Sequence, residues 1–141
     1  MAEMTEQEEL QVFQLITAAG SAKSTFMEAL YKAKEGKYDE AEKLFKEADG
    51  YFVEGHHAHT AMIEAEGQGV ETTVRLVLAH AEDQLMSAEL TKTMVEEMIA
   101  LYTNNKVATL QAANDFDGII AMADALLAKN AENALAQKVR L

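Results

Sequence analysis

A chain of 141 residues carrying a net charge of −12 has the length of one domain, or of one domain with an appendage, and its sign argues against nucleic acid or anionic lipid as partners, because both need a basic face. The absence of cysteine removes disulfides, thiolate catalysis and cysteine-ligated zinc together, and it fits a reducing cytoplasm. With no proline, no tryptophan and an abundance of Ala, Leu, Met, Glu and Lys, the composition points to an all-α protein. No apolar run approaches the length of a membrane span, and the acidic start MAEMTEQEEL is unlike a signal peptide.

Gly36 follows a helical pattern and opens the turn Gly36-Lys37-Tyr38-Asp39, Gly67-Gln68-Gly69 marks a second break, and Asn104-Asn105 a weaker third. These breaks delimit three predicted helices, at about 6–35, 38–66 and 70–103. Each carries an apolar seam. The first runs through Val12, Ile16, Ala19, Phe26, Leu30 and Ala33, interrupted by Lys23. The second runs through Tyr38, Ala41, Phe45, Ala48, Phe52, Gly55, His59 and Met62. The third runs through Val74, Leu78, Ala81, Leu85, Ala88, Val95, Ile99 and Tyr102, with Lys92 as the exception. A period near 3.5 favours nearly aligned helices, and short connections make sequential helices antiparallel neighbours. The expectation is an up-down-up antiparallel three-helix bundle over 1–103.

The third helix has more apolar surface than one seam requires. A mixed row of Val77, His80, Gln84, Ser87, Thr91 and Met94 lies beside the seam, and Leu76, Leu90 and Leu101 add to it. A helix apolar around much of its circumference is buried on several sides, which three helices alone do not provide. The third helix is therefore expected to line a subunit interface, its mixed row facing a symmetry axis or a cleft. Residues 104–141 differ: four basic and four acidic side chains balance, so the whole negative excess belongs to 1–103. Asn114-Asp115 is a candidate cap for a helix carrying Phe116, Ile119, Ile120, Ala123, Leu126 and Leu127, with a last turn or two around 131–139. This helical C-terminal extension is expected to cover apolar surface of the bundle, or alternatively to bind a partner.

The stretch Val77-Leu78-Ala79-His80-Ala81-Glu82-Asp83-Gln84-Leu85-Met86 carries the chemistry. His80 and Asp83, three apart on a helix, stack on one face, and their apolar neighbours predict that this face turns inward. An inward imidazole is either a satisfied core residue or a nucleophile or ligand, and the spacing leaves both open. Asp83 weights the second reading, because a carboxylate among apolar residues is costly unless it is paired or binds a cation. Carboxylates gathered around a threefold axis repel one another. A divalent cation relieves that, and oxygen ligation suits a hard ion such as magnesium. The second helix contains Glu54-Gly55-His56-His57-Ala58-His59-Thr60, a weak candidate for a structural zinc site in which His56 and His59 share a face. The metalloprotease pattern HExxH is missing, as are a phosphate-cradling glycine loop and a nucleophile elbow, so any phosphoryl group must arrive on a partner protein.

Three motifs in order, ITAAGSAKSTFMEALYKAKEGKYDEA, EGHHAHTAMIEAE and VRLVLAHAEDQLMSAEL, resemble the lactose/cellobiose-type enzyme IIA of the bacterial phosphoenolpyruvate-dependent sugar phosphotransferase system, over about residues 8–103. The resemblance implies a homotrimer of three-helix subunits. It makes His80 the phosphorylated residue, and it makes Asp83 the ligand of a divalent metal on the trimer axis. Phospho-HPr would donate to His80, and the phosphoryl group would pass to a cysteine of enzyme IIB and on to a sugar entering through membrane enzyme IIC. Gln84, His56 and Thr60 are supporting candidates. The chain departs from the family pattern at Glu82 and His59, where relatives usually carry Gln, and at Gln84, where they carry a second His. Gln84 offers only a neutral amide, and Glu82 places negative charge near a phosphoryl dianion unless it points to solvent. The alternative is a helical binding or regulatory module that keeps the fold without efficient transfer.

Overall fold

A computed structural model describes residues 3–113 and 115–139, with side-chain surroundings as far as Glu132. The described residues form four helices: α1 (Glu6–Lys34), α2 (Tyr38–Gly67), α3 (Leu76–Ala112) and α4 (Phe116–Val139). They fall into two compact units, Met1–Ala100 and Leu101–Leu141, and α3 contributes to both.

α1 begins at a capping box. Thr5 Oγ1 accepts the Glu8 amide, and the Glu8 carboxylate accepts the Thr5 amide at 2.6 Å. The helix ends where Gly36 takes φ 77°, with Gly36 N–H donating to the Ala33 carbonyl and Lys37 N–H to that of Lys32. α2 stops by the same device: Gly69 has φ 91°, and Gly69 and Val70 donate to Glu66 and Ala65. Both are Schellman turns, in which glycine supplies the left-handed residue and the last carbonyls are satisfied.

In the first unit α1 runs antiparallel to α2. Lys32 pairs with Glu40 near the turn, Phe26 meets Phe45 with ring centroids 4.9 Å apart, and the Leu15–Ala18 turn closes over Gly55. α3 returns along both. Ser87 accepts a hydrogen bond from Lys23 of α1, Lys92 binds Asp49 of α2, and Glu82 meets His59 of α2. The core is small-residue rich: Ala19, Ala22, Ala29, Ala41, Ala48, Ala81 and Ala88 are fully buried beside Leu15, Phe26 and Leu85. The three helices meet at Gly55, where a Cβ would lie 3.4 Å from both Ala18 Cβ and Leu85 Cδ1.

Three boundaries differ from the sequence expectation. The third helix starts at Leu76 and not at 70, because Val70, Thr72, Thr73 and Val74 are β-branched and follow the Gly69 turn in non-helical backbone. Val74 is accordingly exposed and does not belong to the seam. Asn104-Asn105 is no break, and the helix continues to Ala112, since asparagine inside a helix costs only a fraction of a kcal/mol, roughly 0.7 at most. The extension forms one helix where a helix and a separate last turn were expected. Asp115 Oδ1 accepts the Gly118 amide at 2.9 Å, so Asp115 performs the capping expected there, and the Asn114 part of that expectation lies outside the described residues.

Candidate functional site

α3 sorts its side chains by angle. Leu78, Ala81, Leu85, Ala88 and Val95 take the buried positions at the expected seam spacing. His80 and Asp83 fall on the opposite, exposed side. The expectation that they turn inward therefore fails within one chain: the seam occupies the inward arc, and a residue beside Ala81 is rotated about 100° away from it. An exposed Asp83 suffers no burial, so the desolvation argument for a cation does not operate in a single chain. The same exposed side carries Leu76, Leu90 and Met94, which form an apolar stripe around His80 and Asp83.

Gln84 follows His80 by one helical turn and is half-buried on a neighbouring arc. His56 is exposed and Thr60 half-buried, both on α2, and among the described residues no hydrogen bond or ion pair joins either of them to His80. The three α2 histidines do not build a metal site: no group of three metal-ligating side chains exists among the described residues. Helical geometry separates them, since His56 and His57 are exposed while His59 turns toward α3. His56 is instead stacked between Phe52 and His59, with centroids 6.1 Å apart on each side.

Glu82, expected near His80 or in solvent, does neither. Two positions along a helix rotate the side chain by about 200°, which aims Glu82 at α2. Its Oε2 lies 2.7 Å from Nδ1 of His59. The approach is short but not aligned as a hydrogen bond, and Nδ1 stays buried without a hydrogen-bond partner. The contact is therefore one of charge, at full strength when the imidazole is protonated. The lysines that interrupt the seams are also interhelical partners: Lys23 donates to Ser87 at 2.9 Å, and Lys92 binds Asp49 with its Nζ 5.3 Å above the Phe52 ring. Thr91, from the mixed row, is turned back onto its own helix, donating to the Ser87 carbonyl at 2.8 Å.

Residues 10–103 match the family described as PTS system, Lactose/Cellobiose specific IIA subunit. The chain belongs to this IIA family of the sugar phosphotransferase system. It is 38% identical over 90 residues to the lactose-specific EIIA component of Streptococcus mutans, covering 64% of this chain and 86% of that one. The fold is similar to the cellobiose-specific enzyme IIA of Bacillus anthracis, with a TM-score of 0.70 and 39% identity over 73% of this chain and 94% of that one. It is also similar to IIA(Chitobiose) in its complex with HPr, from the N,N'-diacetylchitobiose branch of the Escherichia coli phosphotransferase system. There the TM-score is 0.61 at 32% identity, over 72% of this chain and 99% of that one. This IIA-family match ends at residue 103, so α4 lies beyond it. Among the described residues no helix is long and apolar enough to cross a membrane.

Proposed function

We propose that this IIA-family chain is a cytoplasmic phosphocarrier that accepts a phosphoryl group from phospho-HPr on His80 and passes it to a cysteine of enzyme IIB. The sugar taken up through enzyme IIC is then a disaccharide of the lactose/cellobiose type. The observation that carries the reading is the exposed His80 imidazole on α3, with no intramolecular partner among the described residues, inside the family-matched segment. A neutral ring nitrogen attacks phosphorus in line. The donor's bond to phosphorus breaks as the nitrogen–phosphorus bond forms, and the donor leaves with the electron pair. In the second step the IIB thiolate attacks and the imidazole leaves. Phosphoryl transfer depends mainly on positioning and on donors to the equatorial oxygens. With a net charge of −12, cationic donors come from the partners, and the same charge steers basic surfaces to the chain. The sequestering of Glu82 against His59 supports transfer, because that carboxylate points away from the arc of His80.

The reading includes a homotrimer of three-helix subunits whose exposed stripes of Leu76, Leu90 and Met94 meet. One chain offers a single carboxylate at Asp83 and no group of three ligating side chains among the described residues. A metal site therefore requires Asp83 from three copies, and three carboxylates suit a hard divalent ion such as Mg²⁺. Such an ion would offset their repulsion at the axis.

Phosphoenolpyruvate, enzyme I and HPr should together label the protein with one acid-labile phosphoryl group, and His80→Ala should abolish it. Normal labelling of His80→Ala overturns the assignment. Absence of label in the unsubstituted chain, with HPr binding retained, favours the non-transferring helical module. Sedimentation of a monomer at micromolar concentration refutes the trimer. A trimer indifferent both to chelation and to Asp83→Asn refutes the metal.

A further inference from the structure

In the unit Leu101–Leu141 every described side chain, from 101 to 132, is exposed or half-exposed. A unit of roughly 40 residues normally needs a disulfide, a metal or a partner chain to be stable. The chain has no cysteine, and no cluster of three metal-ligating side chains exists among the described residues. The unit therefore needs a surface outside itself to cover its apolar side chains.

α4 shows which face is open to such a contact. One apolar row, Ile119, Met122 and Leu126, is the more covered. A second row is open: Phe116, Ile120 and Leu127 are 66%, 58% and 66% exposed. Through Ala123 and on to Asn130, this open row advances in alternating steps of four and three residues. That is the 3.5-residue period of a helix packed along an aligned helix, and a single seam asparagine is a device that fixes register between copies. Charge narrows the occupant. Residues 104–141 hold four basic and four acidic side chains, whereas the rest of the chain carries the entire net charge of −12. Copies therefore approach through this segment without the repulsion they meet elsewhere, and a strongly charged partner finds no complement on it.

We propose that α4 is a self-association element, its Phe116–Ile120–Ala123–Leu127 seam packing on the same seam of a second copy of this chain. The contact is independent of phosphoryl transfer at His80.

The absence of native cysteine makes the test direct. In the full-length chain, Ile120→Cys, Ala123→Cys and Leu127→Cys are each introduced singly and oxidised mildly at micromolar concentration, with Ala125→Cys, on the opposite arc, as control. A disulfide needs the two Cβ atoms within about 4.5 Å, so only a true seam contact links efficiently. The expected result is disulfide-linked dimer from at least one seam variant, several-fold above the control. Equal linking at Ala125→Cys, or none at any seam position, overturns the proposal. The second outcome is also what docking of α4 on its own chain or on another protein would give. Ala123→Cys, a small change at an exposed position, keeps the result decisive if a larger substitution unfolds the helix.

Discussion

Nδ1 of His59 on α2 lies 2.7 Å from Oε2 of Glu82 on α3, so an imidazole and a carboxylate face each other across a helix–helix contact. The pair is part of a longer strip. Asp49, Phe52, His56 and His59 follow one another along α2, with Lys92 gripping one end and Glu82 the other.

A double-mutant cycle should detect this pairing. His59→Gln and Glu82→Gln are each expected to destabilise the chain, and the double variant should lose less than the sum. The coupling should be about 0.5–1 kcal/mol, since both groups are partly solvated. Urea unfolding at fixed protein concentration measures it, and strict additivity would show the two side chains to be independent.

At Gly55 the sign depends on size. A methyl group there meets Ala18 and Leu85 at 3.4 Å, which is ordinary contact, while alanine is better by roughly 0.8–1 kcal/mol than glycine inside a helix. Gly55→Ala should therefore stabilise. Gly55→Leu overpacks the point where three helices meet and should cost about 1–3 kcal/mol. A loss of stability with Gly55→Ala would mean that the helices cannot yield by even a few tenths of an ångström.

Lys92→Met keeps the aliphatic stem and removes the charge. It leaves Asp49 without its cation and Phe52 without its cation–π contact, for an expected loss of about 1 kcal/mol. The effect should shrink in high salt, and urea midpoints at low and high ionic strength test both statements.

Hydrogen bonds from the Thr5 backbone and hydroxyl hold the Glu8 carboxyl below the usual carboxylate range. A folded-state pKa depressed in this way adds stability above the unfolded value, and that stability is lost as the pH falls through the folded value. Thr5→Ala should shift the Glu8 titration upward and flatten that part of the acid dependence. A carboxyl-carbon NMR titration of Glu8 reads this directly, and an unmoved titration would dissociate the cap from the shift.

What the sequence by itself determined about this protein is local. Helix content follows from composition and the absence of proline. The first two helices end where Gly36 and Gly69 allow the left-handed residue, and the α3 seam of Leu78, Ala81, Leu85, Ala88 and Val95 follows from the 3.5 period. Where two weak local terms competed, sequence reasoning failed: β-branching delayed α3 to Leu76, and two asparagines were too mild to stop it. His80 and Asp83 were legible as a pair by spacing, but not by which side of α3 they occupy. Only the tertiary structure decided that they face outward, that Glu82 turns to His59, and that Lys23 and Lys92 are interhelical donors to Ser87 and Asp49. Periodicity fixes which residues share a face of one helix. Which face meets which neighbour depends on how all the helices interlock, as they do where Ala18, Gly55 and Leu85 pack together.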